Sequence, residues 1–380
     1  MMFWKRIAAT CLMAWSALAG AEPGVTDSSI TLGMSAPLSG PNGAYGIEMR
    51  EVISACFAQI NKNGGIHGRQ LKLEVLDDGY ETDRTVSNTR TLINDKQVFA
   101  LLGYYGSSPT TQAMNDGFGP ARVPLVGTIS GAQTLREKPS VNPNNRYLFN
   151  VRASYADETE VIVSQLASLG LKNIAVFYQN DGFGKSGLDG VTAALKKVNL
   201  APSAVGTVER NSLDVTQAVQ AISKVTPQAV VMITLYKPTA AFVRQMKQNG
   251  QNPMFMTVSP VGAEQLVAEL GDEARGIGIS QVMPYPWNDT TPAVREYQRL
   301  IGKNGKYSYY GIEAYITTKV MAEGLRRAGR ELTREKLAAA LEAMNHQDMG
   351  GYRVSYGPDD RTGSRFVELT VIGSNGKILR

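Results

Sequence analysis

The feature that most constrains this chain is an alternation, sustained over most of its length, of short apolar segments with longer amphipathic ones. Residues 30–34, 71–76, 99–103 and 123–126 have the length and composition of strands. Between them, 46–63, 82–95 and a segment starting near Ser108-Pro109 carry apolar residues at helical spacing. The same grammar then repeats, with helices expected over 155–169, 185–198, 215–225 and 239–249 and strands over 174–178, 229–234 and 254–257. Strands that alternate with helices and read as unbroken apolar runs belong to parallel sheets covered on both faces. Two such units in tandem predict an α/β fold of two doubly wound parallel-sheet lobes, and 380 residues exceed what one hydrophobic core supports. The tail differs: helices are expected over 293–301, 312–328 and 334–344, then a glycine-punctuated hairpin over 352–372. No low-complexity linker separates the halves, so the chain is expected to cross between lobes on strands at the sheet edges.

Residues 1–21 read as a signal peptide. Lys5 and Arg6 form the basic start, 7–18 is mostly apolar, and Ala19-Gly20-Ala21 fits the small-x-small cleavage rule. Export to the periplasm is therefore expected, and no later stretch is apolar for long enough to span a membrane. Two cysteines and two histidines are too few for a disulfide scaffold or a cysteine/histidine zinc site, and no cofactor or metal is expected. Cys56 shares a helical stripe with Met49, Val52, Ile53 and Ile60 and reads as a packing residue; His67 and His346 read as surface residues. A formal charge of +5 over the whole chain does not suggest a nucleic-acid partner.

Ligands of open α/β sheets sit beyond the carboxyl ends of the strands. Three such ends hold candidate residues: 104–109 (Tyr-Tyr-Gly-Ser-Ser-Pro), 127–132 (Gly-Thr-Ile-Ser-Gly-Ala) and 180–184 (Asn-Asp-Gly-Phe-Gly). In the first, serine and proline open a helix whose free N–H groups favour a carboxylate, or the serines merely cap it. The third begins a G-x-G-x-x-G match over 182–187. It lacks an acidic residue about 20 positions on, at a strand end, so ordinary turn glycines are the better reading.

Ala36-Pro37-Leu38-Ser39-Gly40-Pro41, Tyr45-Gly46, the run Ile60-Asn61-Lys62-Asn63-Gly64-Gly65-Ile66-His67-Gly68-Arg69, and Asp77-Asp78 together resemble the opening of the periplasmic leucine/isoleucine/valine-binding protein family, the type I solute receptors of ABC importers. Asp181-Gly182-Phe183-Gly184, Phe255-Met256 and Val261-Gly262 fall where that family has its second-lobe motifs, and 149–155 resembles a lobe-crossing segment. The resemblance covers nearly all of the chain after residue 21. It implies two lobes joined by three crossings, with lobe one over 22–151 plus 282–353 and lobe two over 152–281 plus 354–380. It also implies a ligand trapped between closing lobes.

Carried over residue by residue, the resemblance implies that Ser107 binds a ligand carboxylate and amino group. Tyr45 and Tyr105 line the pocket, Thr128 and Ser130 add hydrogen bonds, and Phe183 covers the ligand. Tyr155, Tyr236 and Tyr310 complete the expected lining. Ser259 stands where branched-chain receptors carry the acid that holds an ammonium group; Asp181 or Glu313 could substitute, or the ligand could lack an α-amino group. The resemblance thus implies a non-enzymatic, monomeric receptor for an amino acid, small organic acid or amide, delivering it to ABC permease membrane subunits. The alternatives are a receptor component for a chemoreceptor or sensor kinase, and an exported nucleotide-dependent enzyme.

Overall fold

A computed structural model describes residues 22–302 and 305–380; the expected signal peptide lies outside the described residues. The first lobe opens with β1 (Ser29–Ala36), α1 (Gly43–Lys62), β2 (Gln70–Asp77), α2 (Thr82–Arg90), β3 (Ala100–Tyr105), α3 (Ser107–Ala113), β4 (Leu125–Ile129) and β5 (Leu148–Phe149). These strands form a parallel sheet in the order β2-β1-β3-β4-β5. β3 and β4 are wholly buried, as their unbroken apolar runs require. The helix expected over 82–95 continues past α2 as a wider π turn at Thr91–Asp95.

The second lobe runs α4 (Tyr155–Ser168), β6 (Ile174–Gln179), α5 (Gly182–Lys197), β7 (Val205–Val208), α6 (Thr216–Ser223), β8 (Ala229–Ile233), α7 (Tyr236–Gln248), β9 (Met254–Thr257), α8 (Ala263–Leu270) and β10 (Gly278–Gln281). The chain then returns to the first lobe with α9 (Pro292–Ile301), α10 (Tyr309–Ala328) and α11 (Arg334–Glu342). α10 packs along α1, and Gly127 in β4 lets Thr317 approach so closely that a Cβ would lie 2.3 Å from its methyl.

The tail departs from a single hairpin over 352–372. β11 (Gln347–Asp348), β12 (Arg353–Gly357) and β13 (Asp360–Gly363) make a small antiparallel sheet, whereas β14 (Glu368–Ile372) and β15 (Ile378–Leu379) join the second lobe. The second sheet has the order β15-β14-β10-β9-β8-β6-β7, with β14 antiparallel to β10. The β12–β13 hairpin is held beside the first sheet: Asn150 N–H and Nδ2 both donate to Arg361 O at 3.0 Å, and the Arg361 guanidinium lies 4.9 Å from the centre of the Phe149 ring. The Tyr352 hydroxyl bonds Val151 O at 2.9 Å and Val282 O at 3.2 Å, tying together two segments that pass between the lobes. One core cluster runs through both lobes and includes Cys56, whose thiol pKa burial pushes up to about 12, consistent with a packing role; a second cluster gathers Leu101, Phe118 and Leu125 in the first lobe, and His67 and His346 are exposed.

Candidate functional site

The carboxyl ends of β1, β3 and β4 in one lobe face those of β6, β8 and β9 in the other, and the expected site residues meet there. Tyr45, Tyr105, Ser107, Thr128, Ser130, Tyr155, Phe183, Tyr236, Ser259 and Tyr310 are all buried. The lobes are shut on each other, and direct bonds cross between them. Tyr45 Oη donates to Val261 O at 2.6 Å and accepts from Tyr236 N–H at 3.4 Å; Tyr236 Oη donates to Pro41 O at 2.9 Å. Tyr310 Oη donates to Pro260 O at 2.9 Å, and Gly182 N–H donates to Ser108 Oγ at 2.9 Å.

One side of this junction is aromatic. The Tyr45 ring stacks 5.3 Å from Tyr105 and lies 4.7 Å from Tyr310, with Tyr236 edge-on at 5.6 Å. Tyr80, not singled out in the sequence, adds an edge contact to Tyr105 at 5.4 Å and accepts from Gln179 Nε2 at 3.0 Å. Burial raises the hydroxyls of Tyr45, Tyr80, Tyr105 and Tyr310 well above the usual tyrosine value, so all stay protonated donors.

A hydroxyl cluster lies beside the rings. Gly106, at φ +92°, turns the chain from β3 into α3, a conformation that favours glycine; a Cβ there would meet the Tyr80 ring at 2.5 Å. The turn delivers Ser107 Oγ to 2.7 Å from Ser130 Oγ and 3.3 Å from Tyr155 Oη. Thr128 is tied to Thr110 by a 2.9 Å hydroxyl contact, so it anchors β4 to α3. Tyr155 opens α4 behind a capping box of Ser154 and Asp157, and its ring centre lies 5.1 Å from that of Phe183.

The other side is ionic. Arg152, 2% exposed, places Nη2 2.5 Å from Ser259 Oγ and Nε 3.2 Å from Glu313 Oε1. Glu158, wholly buried, accepts from Ser259 N–H at 2.8 Å, Ser259 Oγ at 3.0 Å and Ser280 Oγ at 2.6 Å. Burial would lower the Arg152 pKa, but the Glu313 and Glu158 carboxylates outweigh it and hold the guanidinium charged. Burial lifts Glu313 to about 7 against the pull of Arg152. A second buried guanidinium, Arg136, donates to the carbonyls of Ser130, Ala132, Arg152 and Ala153, and burial pushes it down to about 10. Arg152, Ser259, Tyr309, Tyr310 and Glu313 border a cavity of about 10 Å³.

Of the two acids expected to replace the missing one at 259, Glu313 is on the cavity wall and Asp181 is not. Asp181 caps α5 through Phe183 N–H and Gly184 N–H, and its other oxygen accepts from Gln179 Nε2 at 2.8 Å and Arg210 Nε at 3.0 Å. The 182–187 glycines also find packing roles. A Cβ on Gly184 would sit 1.8 Å from Gln179 O, and one on Gly187 2.4 Å from Ile233. Arg152 and Glu158 were not singled out in the sequence. Arg152 lies on the segment expected to cross between lobes, but Glu158 stands between Asp157 and Glu160 in a polar helix start, and neither carries a local sign of burial.

The sequence matches the family model described as "Periplasmic binding protein" over residues 29–377. It is 23% identical over 363 residues to a leucine-, isoleucine-, valine-, threonine- and alanine-binding protein of Pseudomonas aeruginosa, covering 95% of this chain and 94% of that protein. Among solved structures, a possible leucine/isoleucine/valine-binding protein from Rhodopirellula baltica is 32% identical with a TM-score of 0.86, covering 93% of this chain and 96% of that one. A substrate-binding periplasmic protein from Ralstonia solanacearum is 32% identical at TM-score 0.86, covering 92% of this chain and 99% of that one. With its two parallel-sheet lobes, the chain belongs to the leucine/isoleucine/valine-binding family of type I periplasmic binding proteins, whose members bind their substrates and are not enzymes.

Proposed function

We propose that this chain is the periplasmic receptor of an ABC importer, exported with residues 1–21 removed after Ala21, which captures an amino acid or related small carboxylate or amide between its lobes and presents it to permease membrane subunits. The observation that carries this reading is the convergence of hydroxyls, rings and main-chain groups from strand ends of both lobes, joined by bonds that exist only while the lobes are closed. A ligand that touches both sides would favour that closed state. Ser107 at the start of α3 is the proposed carboxylate anchor, with Ser130 and Tyr155 beside it; Tyr45, Tyr105, Tyr236, Tyr310 and Phe183 form the walls, and Thr128 steadies β4.

We propose the lobe division 22–151 plus 282–363 against 152–281 plus 364–380, which moves the boundary expected between 353 and 354. The pairing of Asn150 with Arg361 supports keeping the 353–363 hairpin with the first lobe, so that the third crossing is 364–367.

The test is thermal unfolding of the secreted form, refolded to strip carried-over ligand, against amino acids, amides, aliphatic and aromatic carboxylates, and nucleotides. A ligand at about 1,000 times its dissociation constant adds roughly 4 kcal/mol and should raise the midpoint by several degrees. A response confined to nucleotides would reject the receptor reading.

A further inference from the structure

Among the described residues at the ionic side, Arg152 Nη1 and Nε and the Tyr309 hydroxyl are buried without a hydrogen-bond partner, and the two guanidinium nitrogens can only donate. Arg152 is on the wall of the 10 Å³ cavity, beside Ser259 and Glu313. A space of that size holds one oxygen-sized atom. The neighbouring acids are committed. Glu158 is saturated by Ser259 and Ser280, and Glu313 is ion-paired with Arg152 itself, its Oε1 3.2 Å from Nε without an aligned hydrogen bond. An ammonium entering here would meet a fixed guanidinium and would have to take Glu313 away from it. An oxygen acceptor would instead satisfy a buried donor, which is unfavourable to leave unpaired.

We propose that Arg152 is a specificity residue and that the ligand is a carboxylate carrying a second oxygen acceptor (a 2-oxo, 2-hydroxy or further carboxylate group) and no ammonium group, the acceptor filling the cavity at Arg152 Nη1. This rests on the receptor reading and on Ser107 as the carboxylate anchor. Burial raises the Tyr155 hydroxyl above the usual tyrosine value, and the Arg152 charge works against that rise, so Arg152 acts electrostatically on the Ser107 end of the site as well. Burial lifts Glu313 to about 7, which lets it turn from acceptor to donor near neutral pH and further disfavours a cation.

The experiment is calorimetric titration of the refolded protein with matched pairs: L-leucine and 4-methyl-2-oxopentanoate, L-phenylalanine and phenylpyruvate, L-glutamate and 2-oxoglutarate, with succinate and benzoate as further amine-free acids. The expected result is that an amine-free acid bearing a second acceptor binds at least about ten-fold tighter than its amino counterpart or, for succinate, than benzoate. Arg152→Met and Arg152→Lys should both reduce that preference, with folding checked by circular dichroism. Equal or tighter binding of the amino member overturns the proposal while leaving the receptor reading intact, and so does a preference that survives in a folded Arg152→Met protein. Silence towards every carboxylate would remove the carboxylate-receptor reading, and the proposal with it.

Discussion

The aromatic and ionic sides of the lobe junction close the same cleft by different physics. Tyr45, Tyr80, Tyr105, Tyr236 and Tyr310 meet through ring faces, ring edges and single hydroxyl bonds. Contacts of this kind are each worth about 1 kcal/mol, and rings can slide apart to admit a ligand. Arg152, Glu158 and Glu313 are instead held by charge in a region nearly closed to solvent, where every partner is needed to offset desolvation. The rings can therefore adapt to a ligand's shape, while the ionic side constrains which atoms approach it. Glu158 sits in α4 and Ser259 and Ser280 in the second lobe, whereas Glu313 comes from α10 of the first, so Arg152 pairs with a first-lobe carboxylate and reaches Glu158 of the second lobe through Ser259.

The largest effect that would break this contrast is on folding. Glu158→Ala leaves the Ser259 N–H and the Ser259 and Ser280 hydroxyls without their acceptor and removes a carboxylate charge that favours the buried Arg152 guanidinium, and removing a buried charge that others depend on costs about 3–5 kcal/mol. Denaturant unfolding should show that loss with the slope unchanged. A cost below about 1 kcal/mol would mean that the ionic side is no more rigid than the aromatic one.

Next in size is Ser107→Ala, which removes the hydroxyl shared with Ser130 and Tyr155. Ligand affinity should weaken by about 1–3 kcal/mol, and unchanged calorimetric affinity would remove Ser107 from the site. Tyr45→Phe tests the rings more gently. It keeps the stacking and deletes the bond to Val261 O, so affinity should fall roughly five-fold, about 1 kcal/mol. A loss of a hundred-fold or more would show that the rings too are a fixed constellation.

The same contrast explains what could be read in the sequence. Ring positions such as Tyr45 and Tyr105 were legible because they lie in a first helical turn and at a strand end that the alternation itself places at the carboxyl edge of the sheet, and the family resemblance names them. The long buried strands β3, β6 and β8 were equally plain. By contrast β5 is an edge strand of two residues, β7 an edge strand with alternating exposure, and β10 an interior strand of only four residues that starts on a glycine; strands so short carry little apolar signal. Arg152 and Glu158 look in sequence like ordinary solvated charges, since their burial depends on Ser259, Ser280 and Glu313, more than 100 residues away. The break between β13 and β14 was hidden for the same reason: both halves read as strand, and what separates them is that one pairs near Asn150 and the other with β10.

A smaller effect should appear in pH dependence, at a third place where the lobes touch. Glu48 on α1 and Glu264 at the start of α8 come from opposite lobes. Burial, then the Glu48 charge, lifts Glu264 from 4.5 to about 8; burial also raises Glu48, against hydrogen bonds from Ser308 and Gln265. Tyr309 N–H donates to Glu264 at 3.1 Å, and Lys306 is a nearby cation that favours the Glu48 charge. Opening the lobes separates the two carboxylates and returns them to water, so the closed form binds protons more tightly than the open one. The resulting preference for closure is fully present below the ordinary glutamate value and is lost as pH rises through about 8. Glu313 acts in the same direction but lower, through about 7. Ligand affinity should therefore decline from about pH 5 to about pH 9, and Glu264→Gln should flatten the alkaline part while leaving the part due to Glu313. If the variant keeps the full slope, the proton is held elsewhere, and the ionic side of the cleft would be the first place to look.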